Sequence, residues 1–478
     1  MSANDGMGTA TDALERLDNM PWTRFHTTLT IALGVGWALD SFETNIIGSV
    51  FGVLKAQWNL TSAQGSLAVS VWVVGMLVGA IGFGYLADRF GRKKLFLATL
   101  LWYAVFATGT AFAWSYESFL WLRFMTALAV GGEYSAVTAT MGEFFPKAHR
   151  GRTDALILSG FPIGAMASAG VTWLLLRWFP PEIGWRIGFG LGATLALFFL
   201  WVRRAVPESP RWLLQQGRVA EVEAIVNAIA ATARGDARDV AERRFPARRH
   251  ETHVPRFFSN IAQLCSTYRE RCALASALNF SQAAVVYGAL ALMALVILPQ
   301  MNVASADLPL YYFLGNAAAL CGGLIGAYAV EAWGRRRTLV FSYTLTVLAI
   351  LPLYALDTLP GMVASYCLMQ FGVTWAYITA YVVAAEILPT RLRATGLGVS
   401  VAVGRVGAML APLLLTSAFQ ASGSSGSALA VLILLAIPGP IAALLWARRG
   451  VETRNLSLEA GSDGPELAAA RGQTLAAF

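Results

Sequence analysis

Between Gly65 and Ala87 the chain runs for 23 residues without a charge, and after the knot Asp88, Arg89, Arg92, Lys93 and Lys94 it runs uncharged again from Leu95 to Trp114. Roughly 20 apolar residues are what a helix needs to cross about 30 Å of hydrocarbon. Two such runs separated by a charged knot predict two membrane helices joined by a short turn in water. The pattern recurs along the chain, at 27–53, 65–87, 95–114, 118–142, 155–176, 187–202, 273–298, 308–330, 338–356, 359–385, 395–419 and 427–446. In hydrocarbon a lone segment must satisfy its own backbone, and runs of this length do so as helices. The expected class is an all-α polytopic membrane protein with twelve transmembrane helices.

The net charge of +8 would fit a nucleic-acid partner if the basic residues formed a patch. They do not. With the N-terminus inside, 31 of the 36 Lys and Arg fall in cytoplasmic loops and tails and 3 (Lys55, Arg177, Arg186) in the opposite loops. That asymmetry follows the positive-inside rule, so the basicity reports topology, with both termini cytoplasmic in a plasma (inner) membrane. The first twenty residues lack a basic stretch followed by an apolar one, and no cleaved signal peptide is expected. Cys265, Cys272, Cys321 and Cys367 have no metal-site spacing and read as small apolar residues without a disulfide framework.

The long hydrophilic segment 203–272 contains the helical pattern "VAEVEAIVNAIAATARG" and divides the spans six and six. The expected organisation is a cytoplasmic tail 1–24, a six-helix bundle 25–204, a linker 205–270 with short helices, a second bundle 271–449 and a tail 450–478. The halves repeat. Asp88, Gly91 and Arg92 recur as Glu331, Gly334 and Arg335, and Glu143, Pro146 and Arg150 recur as Glu386, Pro389 and Arg393, both with an offset of 243 residues. Such parallel repeats in transporters put substrate near the midplane at the repeat interface.

Five motifs in order now carry a resemblance. They are "GYLADRFGRKKL" (84–95), its degenerate copy "AYAVEAWGRRRTL" (327–339), "PESPRWLL" (207–214), "EILPTRLRATGLG" (386–398) and "ETRNLSLE" (452–459). The chain resembles a major facilitator superfamily transporter over about residues 22–456, in the branch of sugar porters, organic-ion transporters and aromatic-acid:proton symporters. The copy departs from the pattern at Ala327, where Gly84 stands in the first. The resemblance implies a cytoplasmic gate whose ion pairs open as the halves rock apart, formed here by Asp88, Arg92, Glu143, Arg150, Glu208, Arg211, Glu331, Arg335, Glu386 and Arg393. Asp88 ends a helix, where the helix dipole disfavours an anion, so it needs a specific partner. Anchoring of the loop by its basic residues is the plainer reading for Arg89, Lys93 and Lys94.

Charges inside spans cost at least about 2.5–3.5 kcal/mol at the bilayer centre, so Asp40, Glu43, Arg123, Glu133 and Arg405 need a reason to be there. Asp40 and Glu43 in "WALDSFETNIIG" lie three apart on one helix face. Two such carboxylates resist ionising together, and one is expected to carry a proton; an Asp capping a helix break is the structural alternative. The stretch resembles the D-G-F-D-T motif of aromatic-acid symporters, with Ser41 and Glu43 replacing Gly and the second Asp. "RFMTALAVGGEYSAV" brings Arg123 and Glu133. By resemblance Arg123 pairs with Glu43 and is released when Glu43 is protonated, although a static salt bridge fits too.

Arg405 in "VAVGRVGAMLAP" lies about 15 Å into its span at 1.5 Å per residue, too deep for easy snorkelling. Its planar fork matches a substrate carboxylate, and an ion pair with Asp40, Glu43 or Glu133 is the alternative. Asn279, Gln282, Tyr287, Gln370, Trp375, Tyr377 and Tyr381 complete a set that suits a flat organic acid, or else serve as packing and helix glue. Sugar porters typically carry a Gln pair where "LNFSQAAVVYG" has one. The expectation is a secondary active transporter, a monomer, carrying out proton-coupled symport of a small organic carboxylate, aromatic or other. Its partners are then substrate, protons and lipid. A sugar or polyol symporter, an exporter of organic ions or drugs, and a transporter-fold nutrient sensor stay open. With no P-loop, metal-ligand cluster or G-x-S-x-G elbow, neither an enzyme nor a cofactor is expected.

Overall fold

The computed structural model describes residues 15–146, 149–203, 207–233, 257–388 and 392–450, together with Ala13 and Glu452. Each apolar run coincides with a helix or with consecutive helical pieces. In the first part of the chain these are α1 (Arg24–Trp58), α2 (Ser62–Phe90), α3 (Arg92–Ala111), α4 (Tyr116–Phe144), α5 (Arg150–Leu158), α6 (Gly160–Trp178) and α7 (Pro181–Arg203). The linker supplies α8 (Pro210–Gln215), α9 (Val219–Ala230) and α10 (Phe257–Ser266). Then follow α11 (Arg269–Leu292), α12 (Leu308–Trp333), α13 (Arg335–Leu348), α14 (Leu359–Ile387), α15 (Arg393–Ser422), α16 (Ser425–Ala436) and α17 (Pro438–Arg449).

Among the described residues nine segments are long and apolar enough to span a membrane by length and composition. The runs of α1 and α4 carry Asp40, Glu43, Arg123 and Glu133, charges that lower their hydropathy. The linker helix α9 forms where its pattern predicts, burying Val222, Val226, Ile229 and Ala230 on one face. Breaks in the spans have local causes. A π turn at Met293–Ile297 follows α11, with Pro299 just beyond it; a proline there removes a backbone donor. Pro438 opens α17 directly after α16.

The chain groups into two compact units, each considered by itself. One comprises the described residues of Met1–Glu43, Gly75–Gly164 and Arg186–Val254; the other comprises those of Thr44–Val74, Ala165–Trp185 and Pro255–Phe478. In the first, α1 and α6 touch backbone to backbone, since a Cβ on Gly164 would sit 1.9 Å from the Ala38 carbonyl oxygen. Small residues at such crossings replace the missing hydrophobic drive between helices in lipid by close packing. This contact fixes the part of α1 just before Asp40.

In the second unit α11, α13, α14 and α17 share a core that includes Leu278, Leu339, Tyr343, Ala380 and Ala443. Tyr343 donates to the Leu278 carbonyl across it at 2.8 Å. The latter part of α1, the first half of α2, most of α6 and the start of α7 belong here as well. Ser66 donates to Thr416 and Ser70 to the Met409 carbonyl, each at 2.8 Å. Arg177 pairs with Asp307 at 3.0 Å.

Candidate functional site

Glu43 and Arg123 meet in the first unit with exposures of 0% and 1%, burial that two charges tolerate only when paired and hydrogen-bonded. Arg123 Nη1 donates to Glu43 Oε1, and Nη2 donates to the Glu43 backbone carbonyl at 3.0 Å. The Phe189 ring of α7 lies 5.1 Å from the guanidinium carbon, a cation–π contact in a dry setting. Tyr103 of α3 donates to Glu43 Oε2 at 3.4 Å. Beside the same oxygen stands Gly192, where a Cβ would come within 3.0 Å. Asp40 and Glu133 are buried too, and with Glu43 and Arg123 they act electrostatically on the Tyr103 hydroxyl.

Three carboxyls and one guanidinium therefore share a dry region of four helices. Full ionisation would leave uncompensated negative charge in a low-dielectric interior. The expected Glu43–Arg123 pair is present, and its second tether is new. Because Arg123 also holds the Glu43 carbonyl, neutralising the carboxylate removes one bond and leaves the other. Tyr103, Phe189 and Gly192 have no motif or charge to single them out. They sit in apolar runs, and helix packing alone brings them to Glu43.

In the second unit Arg405 is half-buried on α15 and donates from Nη1 to Tyr287 Oη of α11 at 3.1 Å. Asn279 donates to Ser400 Oγ at 3.3 Å and to the Ala275 carbonyl at 3.1 Å, so its amide ties α11 to α15. Gln282, Tyr377 and Tyr381 are half-buried, and Gln370 is buried; its Oε1 has no hydrogen-bond partner among the described residues. The Trp375 indole packs among Trp333, Phe341 and Phe371, with centroids 5.6, 5.0 and 5.8 Å away, and against Gly326. That environment is aromatic packing between α12, α13 and α14.

The expected gate residues divide by repeat. The side chains of Asp88, Arg92, Glu143, Arg150 and Arg211 lie outside the described residues. The second copy is a network: Arg335 pairs with Glu386 at 2.9 Å and with Glu331 at 3.0 Å and donates to the Val330 carbonyl at 3.3 Å. Arg393 is half-buried at the start of α15. Glu452 caps α13, accepting from the backbone N–H of Arg335 at 2.8 Å and of Arg336 at 3.1 Å. In the first copy Glu208 accepts from the Lys93 N–H at 3.0 Å at the start of α3. Both caps follow a glycine of positive φ, Gly91 at 95° and Gly334 at 85°, a conformation side-chain-bearing residues rarely adopt. Carboxylates at helix N-termini complement the dipole and the unpaired N–H groups. Glu208 and Glu452 lie 244 residues apart, one more than the motif offset, so the repeat carries Glu208 onto Val451 and misses the second cap by one residue.

Arg335→Met is expected to destabilise the protein by about 3–5 kcal/mol, because it takes from the largely buried Glu386 the guanidinium that holds both of its carboxylate oxygens. Arg335→Met combined with Glu386→Leu recovers much of that loss, as read by thermal unfolding of each variant in detergent.

This fold, with its charged pair locked inside largely apolar spans, is that of a multi-pass membrane transporter of the major facilitator superfamily. The family described as "Sugar (and other) transporter" matches residues 31–460, and the chain belongs to it. It is 29% identical to the niacin transporter NiaP of Acinetobacter baylyi, covering 94% of this chain and 99% of that one. It is 26% identical to the cis,cis-muconate transport protein of the same organism, covering 81% and 86%. The fold matches the xylose transporter XylE of E. coli with a TM-score of 0.70, at 17% identity over 88% of this chain and 98% of that one.

Proposed function

We propose that the chain is a proton-coupled symporter of small organic carboxylates, aromatic acids foremost, working by alternating access in the plasma (inner) membrane with both termini cytoplasmic. The observation that carries the coupling is the buried Glu43–Arg123 pair. Glu43 is the proton site, with Asp40 and Glu133 beside it, and Arg123 reads its charge. A proton added to the carboxylate cancels the ion pair at a point where water cannot compensate, so the surrounding helices gain a second stable arrangement.

Arg405 and Tyr287 supply a cation and a phenol a single hydrogen bond apart, which is the chemistry a planar acid needs: a bidentate fork for the carboxylate and an aromatic edge beside it. Gln282, Gln370, Tyr377 and Tyr381 are the further contacts proposed. The relatives named for niacin and cis,cis-muconate support this reading, since both molecules are small carboxylates. The Arg335, Glu331 and Glu386 network and the caps Glu208 and Glu452 form the proposed cytoplasmic gate, with Asp88, Arg92, Glu143, Arg150, Arg211 and Arg393.

Thermal stability of the purified full chain, measured against nicotinate, benzoate, cis,cis-muconate, xylose and choline, tests the substrate class. A true ligand at about 100 times its Kd stabilises the folded state by about 2.7 kcal/mol. Stabilisation by the carboxylates alone is expected. Stabilisation by xylose or choline without any effect of the acids would transfer the assignment to a sugar or a cation.

A further inference from the structure

Tyr103 is 3% exposed and sits in the run Leu95–Trp114, which has no other feature tying it to coupling. Its hydroxyl nevertheless reaches the one Glu43 oxygen that the Arg123 bond to Oε1 does not occupy. On α7 the residue beside Oε2 is a glycine, Gly192, where a Cβ would come within 3.0 Å. Among the described residues the charged groups that act on the Tyr103 hydroxyl are Glu43 and Asp40 on α1 and Arg123 and Glu133 on α4, and Arg123 is the one that acts on Glu43; α7 contributes Phe189 and Gly192, which do not titrate. At 3.4 Å the phenol bond is long, leaving room for a change in which partner donates.

We propose that Tyr103 is a positioning residue for the coupling proton, an inference that rests on the proton-coupled reading above. With Glu43 charged, the phenol donates to Oε2. When a proton arrives, an O–H bond forms at Oε2, the phenol keeps its own proton and rotates its O–H away, and its oxygen accepts from the new acid. A hydroxyl is both donor and acceptor, so one side chain serves both protonation states without a change of rotamer at Glu43. The guanidinium cannot do this, having donors only. Arg123 keeps its bond to the Glu43 carbonyl in either state. Arg123 therefore senses the charge, and Tyr103 holds the acid in place while it changes.

Infrared difference spectroscopy on the full chain in lipid nanodiscs tests this without a substrate. The pH is stepped from about 9 to about 5, the range in which a buried carboxyl with a shifted pKa titrates. The carbonyl band of a protonated acid that is missing in Glu43→Gln belongs to Glu43. In Tyr103→Phe that band is expected at higher wavenumber, because the acid O–H has lost its acceptor. Its titration midpoint is expected to move about one pH unit to the alkaline side, because the charged form has lost a donor.

A band of unchanged wavenumber and midpoint in Tyr103→Phe overturns the role of Tyr103 while leaving Glu43 as the proton site. No Glu43-dependent band in the wild-type protein overturns the coupling reading, and the role of Tyr103 falls with it. Should Tyr103→Phe fail to fold, 3-fluorotyrosine at position 103 keeps the shape and strengthens the donor. It should move the midpoint the opposite way, and no movement would count against the proposal equally.

Discussion

Glu43→Gln is expected to exchange substrate across the membrane and to be unable to concentrate it. The amide imitates the protonated acid in shape and charge, so the step that requires Glu43 to release its proton disappears from the cycle. For one proton moved with one carboxylate, each unit of pH difference sustains a tenfold accumulation, because a tenfold ratio corresponds to about 1.4 kcal/mol. Wild-type proteoliposomes with an acidic exterior should reach that ratio, and those carrying Glu43→Gln should stop at equal concentrations inside and out. Counterflow of labelled against unlabelled nicotinate supplies the control. The variant should insert and fold, since Arg123 retains the Glu43 carbonyl and protonation neutralises the same carboxyl in the working cycle. Uphill accumulation by this variant would move the proton site to Asp40 or Glu133.

The second large effect is expected at Arg405. Arg405→Lys keeps the charge and loses the planar fork, so a carboxylate ligand that used two parallel hydrogen bonds keeps a single point contact. A charge-assisted hydrogen bond contributes about 1.5–3 kcal/mol, which places the loss of affinity for nicotinate between about tenfold and somewhat over a hundredfold. Arg405→Ala should be worse, and nicotinamide, which has no carboxylate, should change far less in either variant. Equilibrium binding of the two ligands to each variant reads the difference. If Arg405 served only to hold α15 to α11 through Tyr287, acid and amide would weaken together, and the carboxylate assignment would lose its main support.

Residues whose environment is hydrocarbon were legible from the sequence, because that solvent leaves the backbone few solutions. Twelve apolar runs became helical segments at nearly the expected bounds, and the linker helix α9 lies where its pattern put it. The charges that disturb those runs were legible for the same reason. Glu43 and Arg123 stood out because hydrocarbon makes isolated charges rare, and they meet. The resemblance had already named them as partners, whereas composition could only demand that each have one.

Trp375 shows where that reasoning runs out. An aromatic in an apolar span looks the same in sequence whether it faces a ligand or another helix, and the rotation of α14 put this one among Trp333, Phe341 and Phe371. Tyr103 is the converse. Nothing local separates it from the apolar residues around it, yet the crossing of α3 and α1 brings its hydroxyl to Glu43.

The sequence by itself determined the helical membrane class, the internal repeat and the short set of charges that had to be satisfied inside the bilayer. Hydropathy, the 243-residue offset and the position of each charge within an apolar run are all properties of the chain read along one dimension. Only the tertiary structure decided which further side chains attend those charges and the helix ends. It assigned Tyr103, Phe189 and Gly192 to the Glu43–Arg123 pair, Tyr287 to Arg405, and Glu452 to the start of α13. Such choices depend on the rotation and crossing of each helix, and in lipid these are settled by close packing between neighbours, which leaves little trace in the order of residues along any one of them.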